Sequence, residues 1–295
     1  MIMPLPSRIT VLRNTFKDSI KQSALFLAAE SKIVFICGGA DAANQKSERQ
    51  LVEAYAKKQF PRFAFFRAEN VFSCLTASRG QDLLTLEIKM LQYADCVMLI
   101  TESPGAIAEL GAFSVDDEVA KQILLVNDIR YKDEDSFIQK GPVAKIARVS
   151  EFKPPIYITK TRVLDQIAEI EERLDRILRK RRSRLIPSDL RSFHKERLLL
   201  VADTIAMFSP MRKDELTLFW KDILEDQSLL EFDLAILTAL KIIQTDSDYH
   251  IRITSGGGFF YSYYRHNIGA LRSAILLHYF RKERDRIGVL SKAFA

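Results

Sequence analysis

The chain has 295 residues, of which 47% are hydrophobic and 28% charged, a globular composition that excludes a disordered chain. Its longest apolar runs, such as Cys96–Ile100, are too short to cross a bilayer, and no apolar signal segment lies among Arg8, Arg13, Lys17, Asp18 and Lys21, so a cytoplasmic protein with no membrane role is expected. The net charge of +6 is uneven, about +1 over 1–150 and +5 over 151–295, so the second half could face a polyanion.

Residues 9–29 place Ile9, Leu12, Phe16, Ile20, Ala24 and Leu25 near helical spacing and predict a helix. Lys32–Cys37 is almost continuously apolar, as a strand buried on both faces requires, and Gly38-Gly39 follows it. A polar helix over 44–58, a strand at Phe63–Phe66, a helix over 81–94 and a buried strand over 94–100 come next. A helix from Gly105 to Ser114 and short strands at 123–126 and 155–158 complete an alternating pattern, which predicts an α/β fold with a parallel sheet covered on both sides. A helix over 162–182 carries a stripe of Ile167, Ile170, Leu174 and Leu178 and ends in the basic cluster Arg176, Arg179, Lys180, Arg181, Arg182 and Arg184. Helices follow over 191–208, 212–225 and 229–243, then a turn, a short alternating strand holding Arg252, and a Gly-rich tip at 256–258. That order resembles a winged helix-turn-helix, closed by a helix over 267–286.

Cys37 and Cys96 sit in apolar runs, no CxxC is present, and His194, His250, His266 and His278 lack metal-ligand spacing. No metal and no cofactor are therefore expected.

Ser103-Pro104-Gly105 makes a tight turn after a buried strand and opens a helix, where free N–H groups suit a phosphate or ribose oxygen. Glu109 lies one turn inside that helix, just before Gly111, where a carboxylate could approach a sugar carbon; a solvated helix residue is the plainer alternative. Gly38 and Gly39 would line the same end of the sheet and let backbone approach a ligand. Glu87 is a third candidate, among leucines on the helix before the strand over 94–100.

Together, Cys37-Gly38-Gly39, Asn44, Leu86-Glu87 with Ala94-Asp95, and Glu102-Ser103-Pro104-Gly105 with Glu109-Leu110-Gly111-Ala112-Phe113 resemble a nucleoside 2-deoxyribosyltransferase-like domain. With Ser136-Phe137-Ile138 and Gly141-Pro142-Val143, the pattern is closer still to bacterial retron effectors, which join such a domain to a winged-helix module. The resemblance implies a flavodoxin-like parallel sheet, followed by a mainly helical winged-helix domain. It implies a catalytic domain over 1–160, a basic linker helix over 161–190 and a winged-helix-like nucleic-acid or partner-binding domain over 191–295. Glu109 maps to the family nucleophile, suited to an oxocarbenium-like transition state and a covalent glycosyl-enzyme, and Glu87 to the acid that orients sugar or base. Gly38, Gly39, Asn44, Glu102, Ser103 and Gly105 would form the substrate cradle. Where the transferases carry Asp six residues before the nucleophile, Ser103 stands here with Glu102 beside it, and Gln139 corresponds to an Asn that neighbouring subunits contribute in some transferases.

The resemblance implies a toxic N-glycosidase acting on a nucleoside, nucleotide or NAD-like substrate, held inactive by the retron reverse transcriptase and its branched RNA–DNA product, msDNA, and released during phage infection. Self-association into a homo-oligomer is expected. Arg179, Lys180, Arg181, Arg182 and Arg252 would face nucleic acid. Tyr249, Tyr261, Tyr263 and Tyr264 could stack on unpaired bases. Two rivals remain at the level of sequence: a nucleotide-sensing phosphoribohydrolase, whose usual Pro-Gly-Gly-x-Gly-Thr is absent, and a DNA-binding regulator without enzymatic activity.

Overall fold

Five short apolar segments form one parallel sheet in the computed structural model, which describes residues 8–22, 25–28, 32–41, 46–75, 82–179, 183–185, 189–246, 250–254, 263–264 and 268–291. They are β1 (Lys32–Cys37), β2 (Phe63–Phe66), β3 (Cys96–Ile100), β4 (Ile123–Asp128) and β5 (Ile156–Ile158). The intervening helices are α1 (Glu48–Gln59), α2 (Ala68–Phe72), α3 (Leu83–Leu91), α4 (Pro104–Val115), α5 (Asp117–Gln122) and α6 (Ala144–Val149), with α7 (Ile167–Arg179) after β5. Strand order is β2-β1-β3-β4-β5, the flavodoxin-like arrangement.

Both faces of β1 are buried, which is why its sequence does not alternate. Val34 and Ile36 pack with Val52 and Ala56 of α1 and Ile170 and Leu174 of α7. On the opposite face, Phe35 stacks on Phe66 at 5.0 Å between centroids and meets Phe113 of α4 at 6.5 Å. The connections after the neighbouring strands β1 and β3 thus leave for opposite faces, and a crevice opens between their C-terminal ends. The helices start on side-chain caps: Ser47 accepts from Gln50 N, Asp82 from Thr85 N, and Ser103 from Ala106 N with Pro104 in the first turn.

The sheet belongs to a unit spanning 31–181, and the second unit takes 1–30 and 182–295. The first unit therefore begins at 31 rather than at the N-terminus. The helix expected over 9–29 ends at Lys21, and Leu25–Ala28 is instead a strand, antiparallel to Ser183–Leu185 and Tyr263–Tyr264. Ladder pairing with residues far away in sequence overrides the helical spacing there. Phe16 of the first helix packs on Phe208 and Phe219 at 6.0 and 6.1 Å, which ties that helix to the second unit.

In the second unit the helices His194–Phe208, Lys213–Lys221 and Gln227–Ala239 surround a small antiparallel sheet in the order Met211–Arg212, His250–Ile253, Ile243–Thr245. Arg197 and Asp233, both fully buried, form an ion pair through Nε–Oδ2 at 2.7 Å and Nη2–Oδ1 at 3.1 Å. The closing helix is split in two, Ile268–Lys282 and Arg284–Ser291. Arg286, on the second piece, holds Glu215 at 2.6 and 2.8 Å; although burial opposes it, this brings the Glu215 carboxyl down to about 2. The Gly-rich tip at 256–258, Tyr249 and Tyr261 lie outside the described residues. No described helix is long and apolar enough to cross a membrane.

Candidate active site

The turn that starts α4 stands at the crevice between β1 and β3. Ser103 Oγ accepts from Ala106 N at 3.2 Å and donates to the Gly38 carbonyl at 3.5 Å, so one hydroxyl caps the helix and links it to the end of β1. Further along α4, Glu109 is half-buried, and its Oε2 is buried with no hydrogen-bond partner among the described residues. Burial raises its pKa; the Cys37 thiol and the Arg49 guanidinium oppose that rise, while Glu69 adds to it.

Glu87 comes from α3 and is half-buried as well. Burial first, then the charges of Glu109 and Glu69, push its pKa up to about 7. The Cys37 thiol is pushed well above its ordinary value by burial and by Glu109 and Glu87, so it stays protonated and acts as a donor toward Glu109. Three separate elements, β1, α3 and α4, therefore bring Cys37, Glu87 and Glu109 into one electrostatic group. Arg49 of α1 borders it; this buried guanidinium is held by Glu69 at 2.6 and 3.4 Å.

Two like carboxylates in a partly dry site cannot both ionise freely, and their titrations separate. One carboxylate and one carboxylic acid near neutral pH is the arrangement that glycosidic chemistry uses.

The expected cradle residues behave differently from one another. Glu102 is engaged by backbone: its Oε1 accepts from Gly39 N at 2.8 Å and Arg49 N at 3.0 Å, and its Oε2 from Glu48 N at 2.6 Å. This carboxylate ties the start of α1 to the end of β1. Gly38 and Gly39 make room for it, since a Cβ on Gly38 would lie 2.7 Å from Glu102 Oε1 and one on Gly39 3.0 Å from its Cδ. Gly105 is exposed, with nothing closer than Ser103 Oγ at 3.8 Å to an added Cβ. Asn44 lies outside the described residues, as do Lys180, Arg181 and Arg182. Arg179 closes α7, and Arg252 faces Gln244 across the small sheet. Gln139 falls in a π-helical turn, and its Nε2 is buried with no partner among the described residues.

Sequence reading missed Arg49 and Glu69, and it took Cys37 only as a small buried hydrophobe. Cys37 is two residues beyond Phe35 on the same face of β1, so the register already aimed it at the layer of α4.

Comparison with known proteins shows the family. A family model described as "STM3845 retron effector protein" matches residues 45–245. An Escherichia coli protein named "Retron Ec73 putative ribosyltransferase/DNA-binding protein" is 27% identical over 306 aligned residues, covering 95% of each chain. A second, "Retron Ec86 putative ribosyltransferase/DNA-binding protein", also from Escherichia coli, is 36% identical over 126 residues, 42% of this chain and 40% of its own length. With well over half of its length matched by the family model, the chain belongs to the STM3845 retron effector family.

Proposed function

We propose that this retron effector cleaves the N-glycosidic bond of a nucleoside, nucleotide or NAD. The observation that carries the reading is the acid pair, Glu109 beside a Glu87 held protonated up to about pH 7. Glu109 attacks the anomeric carbon as the C–N bond breaks. Glu87 passes its proton to the departing base and then takes one from the water that releases the sugar. The word ribosyltransferase in the names of both relatives fits glycosyl transfer, with water as the acceptor here.

The same reading makes the free chain toxic and assigns its silencing to the retron reverse transcriptase with msDNA. Helix, strand, helix, helix, strand, strand over 194–253 supports a winged-helix module in the second unit. The basic run Arg179, Lys180, Arg181 and Arg182, with Arg252, would meet nucleic acid, and the protein would act as a homo-oligomer in the cytoplasm. Expression of the chain without its retron partners tests the central claim: growth should stop with wild type and continue with Glu109→Gln at equal soluble yield. A folded Gln variant as toxic as wild type would overturn it.

A further inference from the structure

On the far side of α4 from Glu109, the C-terminal ends of β3, β4 and β5 enclose a cavity of about 250 Å³. Ile107 of α4 lines it, whereas neither Glu109 nor Glu87 does. Two residues along a helix are about 200° apart, so the cavity and the acid pair use opposite sides of α4. Ile100, Val126 and Ile158, from three neighbouring strands, form an apolar floor.

The rim determines what the cavity can hold. Its three acids are already supplied with donors. Glu48 accepts from the backbone N–H groups of Thr161 and Val163, and Glu102 from three others. Asp128 accepts from the backbone and guanidinium of Arg130 at 2.6 to 3.1 Å. Among the described residues Lys160 makes no ion pair, though its charge acts on Asp128, and Tyr131, whose ring lies 5.4 Å from the Arg130 guanidinium, makes no hydrogen bond through its hydroxyl. Beside these acids, the rim offers three donors: the Lys160 ammonium, the outer guanidinium nitrogen of Arg130 and the Tyr131 hydroxyl. The backbone next to Lys160 is also fixed. Thr161 beside it has φ 68°, an unfavourable conformation for a β-branched residue, kept by the buried Glu48 carboxylate.

We propose that this cavity is a second ligand site, which takes a nucleoside monophosphate with its base on the apolar floor beside Tyr131 and its phosphate on Lys160 and Arg130. A flat apolar body fits the floor, and a group rich in acceptors fits the donors of Lys160, Arg130 and Tyr131. The position, at strand C-terminal ends of an open parallel sheet, is where such folds place ligands. This site uses neither acid of the pair, but it adjoins the glycosidase reading's site, since Glu102 and Ser103 of the expected cradle also line it.

Calorimetry on the full chain carrying Glu109→Gln, which removes turnover, is the test. AMP should bind, with adenosine and inorganic phosphate each at least about tenfold weaker. Lys160→Ala, an exposed change whose fold is checked by circular dichroism, should weaken AMP by about tenfold or more. Glu87→Gln should leave AMP affinity unchanged. No AMP binding at millimolar concentration would overturn the proposal, as would equal affinity in Lys160→Ala. Loss of AMP on Glu87→Gln with Lys160→Ala unaffected would place the nucleotide at the acid pair instead. Adenosine binding as tightly as AMP would remove the phosphate from the assignment, and phosphate binding as tightly as AMP would remove the base.

Discussion

Glu87 sets the pH behaviour of the site. Its folded pKa of about 7 lies above the ordinary 4.5, so the folded chain binds this proton more tightly than the unfolded chain. The stability linked to it is full below about pH 4.5 and is lost as pH rises through about 7. Glu87→Gln should therefore stabilise the protein above pH 7, by about 1 kcal/mol, a discount on the full shift because the group is partly wetted. Denaturant titrations at pH 5 and pH 8 would check this, with a gain expected only at the higher pH. On the proposed glycosidase reading, the same proton should give the rate a falling limb near pH 7, and Glu87→Gln should lower the rate at pH 6 and flatten that limb. Gly38 and Gly105 make a second contrast at this scale. Gly38→Ala pushes a methyl to 2.7 Å from Glu102 Oε1 and 2.9 Å from Arg49 Cβ, and should cost about 1–3 kcal/mol; Gly105→Ala has open space and should be nearly neutral in thermal melts. Both glycines were legible in the sequence as turn positions after strands. That Gly38 makes room for a carboxylate of the next-but-one strand connection was not, because 64 positions separate them in sequence and only the sheet brings them together.

Among elements, the sheet strands were the most legible. β1, β3 and β4 are continuous apolar runs, a pattern that burial on both faces demands. Strand order was beyond composition and spacing, since it is fixed by which connection passes over which face. The first helix shows where periodicity misled: Ala24 and Leu25 continue its apolar spacing, yet Leu25 pairs with Tyr264 and Phe26 with Leu185. Tertiary pairing decided what local pattern left open. In the helical unit the ion pair between Arg197 and Asp233 joins the helices His194–Phe208 and Gln227–Ala239 in a fully dry setting. Asp233→Ala would strand a guanidinium there and should cost about 3–5 kcal/mol, read as a fall in the denaturation midpoint. No sequence rule pairs residues 36 apart on separate helices, so this ion pair was invisible before the fold.

At the scale of the whole molecule, the uneven charge gives a direct test of partner binding. Changing Arg179, Lys180, Arg181 and Arg182 together to Ala should weaken association with the reverse transcriptase and msDNA. For every phosphate no longer neutralised, the slope of log affinity against log salt should flatten by about 0.7–0.9. Activity of the free chain should survive, because Glu87 and Glu109 lie in the sheet unit. Sedimentation of the free chain at micromolar concentration should show a species larger than one chain; a single-chain species alone and in the complex would count against self-association.

The pairing of Ala28 with Ser183 has one more consequence. These two residues face each other in an antiparallel ladder, yet the whole parallel sheet is threaded between them. The chain is built as a guest spliced into a host hairpin. Replacing 29–182 by an Asn-Gly turn should close that hairpin directly, since such a dipeptide suits a two-residue connection between antiparallel strands. The host should then fold as an independent, non-toxic protein of about half the length, able to compete with the intact effector for its retron partners.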